Sequence, residues 1–187
     1  MPVTVTPETF TMVDFDAAKI VALAEKLVRE SGLPEGTSLE IEVIERTPLG
    51  RVRVESLDPI RISVEGGAFE NPQHLRKLSA DRVVDVLGVH LFQTRDRLDP
   101  AFGGPALDEE LALPHRVAWD VYAVGRLDRL GYRSQRQRRL YHFRNRHGFS
   151  DVADAAFDRL WNGEGITWAD ITAVCEETAA TRSVAQL

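Results

Sequence analysis

The chain has a single cysteine, Cys175, only three lysines, and no apolar run approaching bilayer length. One cysteine excludes an intramolecular disulfide and a cysteine-based zinc site. No stretch nears the roughly 20 apolar residues that a spanning helix needs, so no membrane association is expected. The N-terminal MPVTVTPETF has neither a basic region nor an apolar one, so a secretory leader is not expected and a cytoplasmic location is the default. No recognisable catalytic signature occurs either. A non-enzymatic role without a cofactor or metal is therefore the expectation.

What is present is ordinary in amount and uneven in distribution. The 187 residues, 43% of them hydrophobic, suffice for one compact domain with a core that needs no disulfide or metal. There are 23 basic and 29 acidic residues. Eight of the arginines, Arg126, Arg129, Arg133, Arg136, Arg138, Arg139, Arg144 and Arg146, fall in one stretch against a single acid, Asp128, a local charge of +7. The other 15 basic residues face 28 acidic ones, −13. Arginine richness can reflect a GC-rich genome, so clustering carries more weight than frequency. A field of this asymmetry holds a polyanion, an acidic partner or the chain's own acids.

Hydrophobic periodicity predicts an α+β fold. Ile20, Leu23, Ala24, Leu27 and Val28 repeat at helical steps before Gly32 and Pro34, and Thr6-Pro7-Glu8 offers an earlier helix start or a short capped turn. SLEIEVIER, RVRVES and IRISVE then alternate as three strands. Their short connections predict an antiparallel meander, with Glu40 and Glu42 near Arg51, Arg53 or Arg61. Ser79 caps a long helix whose core stripe is Val83, Val84, Leu87, Leu91 and Leu98. A helical C-terminal region follows: a short DEELAL turn, HRVAWDVYAVGRLDRLG, the arginine segment, SDVADAAFDRLW and TWADITAVCEET. The expected organisation is an α+β core over 1–105, a helical region over 106–180 packed on it as one compact domain, and a frayed tail over 181–187.

Three constellations invite a chemical reading. His90 lies on the second long helix, after a first helix and a small sheet, an element order over about residues 7–99 that resembles the minimal zincin-like metallopeptidases. That family's helix carries HExxH, two zinc-binding His one turn apart with a Glu that activates water. Here the run is His90-Leu91-Phe92-Gln93-Thr94, with Leu91 for the Glu and Thr94 for the second His. Asp99 falls one residue out of step with the family's third ligand. The resemblance therefore implies a degenerate scaffold without peptidase chemistry. Asp108, Glu109, Glu110 and His115 look metal-like, yet Pro114 separates the acids from the His, and acids ahead of a helix suit its dipole. His147, Asp151 and Asp154, with Asp158 on the same helical face, are the centre of the alternative, enzymatic reading. Arg144, Arg146 and Arg159 stand near enough in sequence to neutralise those carboxylates. The last two helices mimic a DNA-reading pair, but Asp170, Glu176 and Glu177 would meet phosphate.

The arginine segment interleaves Tyr132, Tyr141, Phe143 and Phe149, which suits base stacking as well as core packing. Arg136, Arg139, Leu140 and Phe143 share one helical side; Arg138, Tyr141 and Asn145 lie on another. The predicted function is a non-enzymatic binding or adaptor module. Its face is Arg133, Arg136, Arg138, Arg139, Arg144 and Arg146, supported by Tyr132 and Tyr141. The expected partner is an acidic protein surface or a second copy; nucleic acid or another anionic ligand is the rival, opposed by the net charge of −6.

Overall fold

The computed structural model describes residues 2–107 and 109–184, without the side chains of 182–184. The chain divides into two compact units, Met1–Leu98 and Asp99–Leu187. The first is a sheet with two long helices and the second is helical, so the protein mixes α and β structure.

The first unit runs β1 (Val3–Thr6), α1 (Ala17–Ser31), β2 (Leu39–Ile44), β3 (Val52–Leu57), β4 (Ile60–Glu65), a 3₁₀ turn at Gly66–Ala68, β5 (Glu70–Asn71), β6 (His74–Leu78) and α2 (Ala80–Leu98). The four-stranded sheet has the order β1-β2-β4-β3. It is mixed, not the antiparallel meander expected. β2 pairs in parallel with both β1 and β4, and only β3–β4 is antiparallel. A parallel pair needs a crossover of a dozen or more residues. Here the crossover is the third strand itself: the chain leaves β2, forms β3 on the far edge, and returns through Asp58-Pro59 into β4.

Burial explains which strands lie inside. Leu39, Ile41 and Val43 of β2 stand beside Ile60, Ile62 and Val64 of β4, and all six are buried. Val52 and Val54 of β3 are only half-buried, between exposed Arg53 and Glu55. Charges of this kind blunt an edge strand. Of the cross-strand pairs expected, Arg61 meets Glu40 at 2.9 Å, while the Arg51 amide donates to Glu65 at 3.1 Å.

Strand β1 forms where the sequence pattern predicts no strand. Thr6-Pro7 ends this strand and does not start a helix, since proline has no N–H to continue a ladder. The 3₁₀ turn and the β5–β6 hairpin likewise occupy what reads as a polar loop. The helices follow the sequence. The Asp16 side chain caps α1 by accepting from the Lys19 amide at 3.1 Å, and Gly32 closes it at φ +71°. Ser79 accepts from the Arg82 amide at 3.3 Å ahead of α2. α1 packs beside β1, α2 beside β3, and the two helices pack on each other. Glu45 ties the segment before α1 to the sheet by accepting from the Thr11 and Met12 amides at 2.9 and 2.6 Å.

The second unit contains α3 (Leu113–Arg129), α4 (Arg136–His147), α5 (Asp151–Asn162) and α6 (Trp168–Val184). Glu109–Ala112 are not helical, which corrects the expected DEELAL turn; α3 starts at Leu113 with Pro114 in its first turn, where a missing N–H costs nothing. Asp108 lies outside the described residues. The tail expected to fray from Thr181 is helical as far as Val184, and residues 185–187 lie outside the described residues. Ser150 caps α5 through the Ala153 amide at 3.2 Å. Thr167 and Asp170 exchange bonds at the start of α6, where Asp170 accepts from the Thr167 amide at 2.8 Å.

Aromatic rings fill the interior of this unit. Trp119 stacks on Phe102 at 5.5 Å and meets Trp168 edge-on at 5.4 Å. Phe157 stacks on Trp161 at 5.3 Å and meets Phe143 edge-on at 5.7 Å. Helices α3 and α5 approach at Gly125, where a Cβ would stand 2.1 Å from the Trp161 carbonyl oxygen.

Candidate functional site

The arginine stretch spans the end of α3 and the whole of α4, and the fold divides its members by task. Arg126 is buried with its guanidinium 4.0 Å from the centre of the Tyr122 ring. Arg129 donates to the carbonyls of Trp161 and Gly163, at 2.5 and 3.0 Å, and so closes the C-terminal end of α5. Arg136 pairs with Asp158 and lies over the rings of Phe157 and Trp161, 5.3 and 5.7 Å from their centres. Arg144 grips both oxygens of Asp154 through Nε and Nη2, at 2.7 and 2.5 Å. These four act within the protein. Arg139 and Tyr132 are half-buried, and both they and the exposed Arg133 have partners within the chain.

Arg138 and Arg146 differ. Both are exposed, and neither has an ion pair among the described residues. With Tyr141, His142 and Asn145 they form the outer face of α4, at steps of three and four residues. The inner face has two buried residues, Phe143 and His147. Phe149, just past the helix, extends the outer face: it is 66% exposed and meets Tyr141, itself 57% exposed, edge-on at 6.0 Å. The set expected from the sequence thus separates, with Arg138, Arg146 and Tyr141 outward and Arg136 and Arg144 tied down. His142, Asn145 and Phe149 were missing from it. Helical spacing from Arg138 carries the signal for His142 and Asn145; Phe149 lies beyond Gly148, past the end of the helix, where that spacing does not reach.

The pairing of Arg144 with Asp154 shifts both groups. The Asp154 carboxyl is held below its ordinary range, first by the hydrogen bond from Arg144 and then by its charge, and Arg144 is raised in return. Asp170 is lowered by the Thr167 hydroxyl and amide, and Glu45 by the Met12 amide first. A carboxylate with a depressed folded pKa contributes stability above its unfolded value, near pH 4, and loses it as pH falls through the folded value. The melting temperature should therefore hold down to about pH 4–5 and decline below it. Asp154→Asn should make that acid-side decline shallower in a series of thermal melts. An unchanged slope would show that the pair does not couple to folding.

The other constellations do not assemble. His147 is buried, stacked on Phe143 at 3.9 Å, with Nδ1 2.9 Å from the Thr178 hydroxyl and Nε2 donating to the Pro114 carbonyl at 3.1 Å. Asp151 is exposed at the start of α5, and Asp154 is engaged by Arg144. The His147, Asp151 and Asp154 site of the enzymatic alternative is thus not brought together. On α2, His90 is half-buried with Nδ1 donating to the Val86 carbonyl at 2.8 Å. Leu91 and Thr94, which stand where the metallopeptidase motif has Glu and His, are buried. Asp99 accepts from the Ala101 amide at 2.9 Å. Among the described residues, no group of three or more His, Cys, Asp or Glu is placed to hold a metal ion, and no helix is long and apolar enough to cross a membrane.

No protein-family model, curated protein or solved structure matches the chain.

Proposed function

We propose that this is a cytoplasmic, non-enzymatic binding module that engages an acidic protein surface through the outer face of α4. One observation carries the reading. The fold uses Arg126, Arg129, Arg136 and Arg144 internally, yet leaves Arg138 and Arg146 exposed beside an exposed aromatic pair, Tyr141 and Phe149. Arginine and tyrosine are the residues most enriched at the energetic centres of protein interfaces, and exposed rings of this size carry a desolvation gain on contact. No acid occurs anywhere in α4, so the face selects for negative charge. For unit 1 the proposal is a degenerate scaffold with the element order of zincins and without their chemistry; Leu91 and Thr94, at the positions of the motif's Glu and second His, are buried.

Nucleic acid is the competing ligand, since the same side chains stack on bases and pair with phosphate. Co-purification from nuclease-treated lysate, comparing wild type with Arg138→Glu/Arg146→Glu, decides between them. Loss of a nuclease-resistant protein partner in the variant is expected. Salt-steep binding of a single-stranded RNA oligomer that the same variant abolishes would move the function to nucleic acid.

A further inference from the structure

Arg138, His142 and Arg146 follow one another at steps of four residues along α4, and all three are exposed. At this spacing neighbours stand one turn apart on one side of a helix, roughly 6 Å from each to the next. An imidazole therefore sits midway along a line of about 12 Å that an arginine closes at either end. Helices α3, α5 and α6 all meet the inner side of α4: Phe157 of α5 packs on Phe143, and Pro114 of α3 and Thr178 of α6 bond to His147. Their acids do not pair with His142. Asp128 of α3 accepts from Ser134 and Trp161, Asp154 and Asp158 of α5 are held by Arg144 and Arg136, and Glu177 of α6 by Arg159. Asp120 has partners of its own, Asp170 caps α6, and Asp151 and Glu176 are exposed. Among the described residues His142 has no ion pair, and the charges beside it on α4, Arg138, Arg139 and Arg146, are all positive.

Taking the α4 face as the surface that receives an acidic partner, as above, we propose that His142 is its third cationic contact and that the partner binds together with a proton taken up there. Imidazole is the side chain whose ordinary pKa, near 6.5, lets a charge appear between about pH 8 and about pH 5.5. With the face empty, a proton on His142 adds a third positive charge between two others. With carboxylates of the partner laid along the line, the same proton completes a third ion pair. The complex therefore holds the proton more tightly than the free chain does. By linkage, affinity rises as pH falls through the histidine range, and the gain is lost as pH rises through it. Of the five histidines, only His142 lies on this face: His74 and His90 belong to the first unit, His115 lies 5.8 Å from the Trp168 ring, and His147 is buried on the inner side.

Fluorescence anisotropy of labelled poly-L-aspartate, titrated with the full chain at about pH 8 and about pH 5.5, tests the assignment; aspartate carboxylates stay ionised at both. The affinity should be about threefold higher at the lower pH, the scale of one exposed ion pair. His142→Gln should lose that rise. His142→Lys should give, at the higher pH, the affinity that the wild type reaches only at the lower one. Circular dichroism at both pH values establishes that each variant is folded. A wild type with the same affinity at both pH values overturns the proposal and leaves the α4 face as an acid-binding surface. A rise that His142→Gln keeps in full overturns it too, since the effect then belongs to the overall charge of the chain. Arg138→Glu/Arg146→Glu should abolish binding at both pH values. Binding that this variant retains, or that the wild type lacks at both, would remove the α4 face as an acid-binding surface and the proposal with it.

Discussion

Phe143→Ala should release the arginine helix from its unit at a cost of about 3–5 kcal/mol, the range for deleting a buried aromatic side chain. Phe143 is fully buried and meets both the His147 ring and the edge of Phe157. It is one of only two buried residues on α4, a 12-residue helix with five arginines and no acid. A helix of that length is marginal alone, and like charges one turn apart weaken it further. Docking, and not propensity, must hold it. For a unit of this size the loss corresponds to a fall in melting temperature of roughly 15 °C or more. Thermal melts by far-UV circular dichroism measure it. Replacement of Arg138, on the outer face, should leave the melting temperature essentially unchanged, as surface substitutions do. Equal effects from both would mean that α4 is not anchored by its inner face.

Gly125→Ala is the second large effect expected. Alanine is ordinarily the better helix residue, by about 1 kcal/mol over glycine, so propensity alone predicts stabilisation. The geometry predicts the reverse. The added Cβ would lie 2.1 Å from the Trp161 carbonyl oxygen and 2.9 Å from its Cα, and backbone cannot swing aside as a side chain can. Helices α3 and α5 must separate, which opens the packing of Trp161 on Phe157 and strains the bond from Arg129 to the Trp161 carbonyl. A destabilisation of about 3 kcal/mol is expected, the upper part of the overpacking range. Urea unfolding gives both sign and size. A more stable variant would refute the close approach.

The sequence discloses local structure better than neighbours. Helix α1 was legible because the apolar stripe and the stop at Gly32 agree, while its cap at Asp16 emerges only from the fold. The alternation in β2 and β4 identified the buried faces correctly, but alternation is indifferent to which strand lies alongside. Leu39 fits against Ile60 as well as against a β3 residue, so the parallel pairing of β2 with β4 left no local trace. Strand β1 has four residues and one buried side chain, Val5, too little for periodicity to register. At the candidate site, composition found the arginines and could not sort them. What separates Arg144 from Arg146 is the position of Asp154 across a helix–helix contact, and what separates Arg136 from Arg138 is Asp158 and two rings. Those distances arise only on folding.

The detour of the chain through β3 also sets an order of assembly. Two residues separate β3 from β4, whereas 15 separate β2 from β4 and 32 separate β1 from β2. Loop closure of the short turn is the cheapest and fastest of these, since the entropy lost grows with the length enclosed. The outer hairpin is therefore expected to form first and to present the edge of β4 as a template. Strand β2 adds to that edge, and β1 joins last, once α1 has folded between them. The rate at which the sheet completes is thus expected to depend on its N-terminal half, the half farthest from the hairpin that starts it.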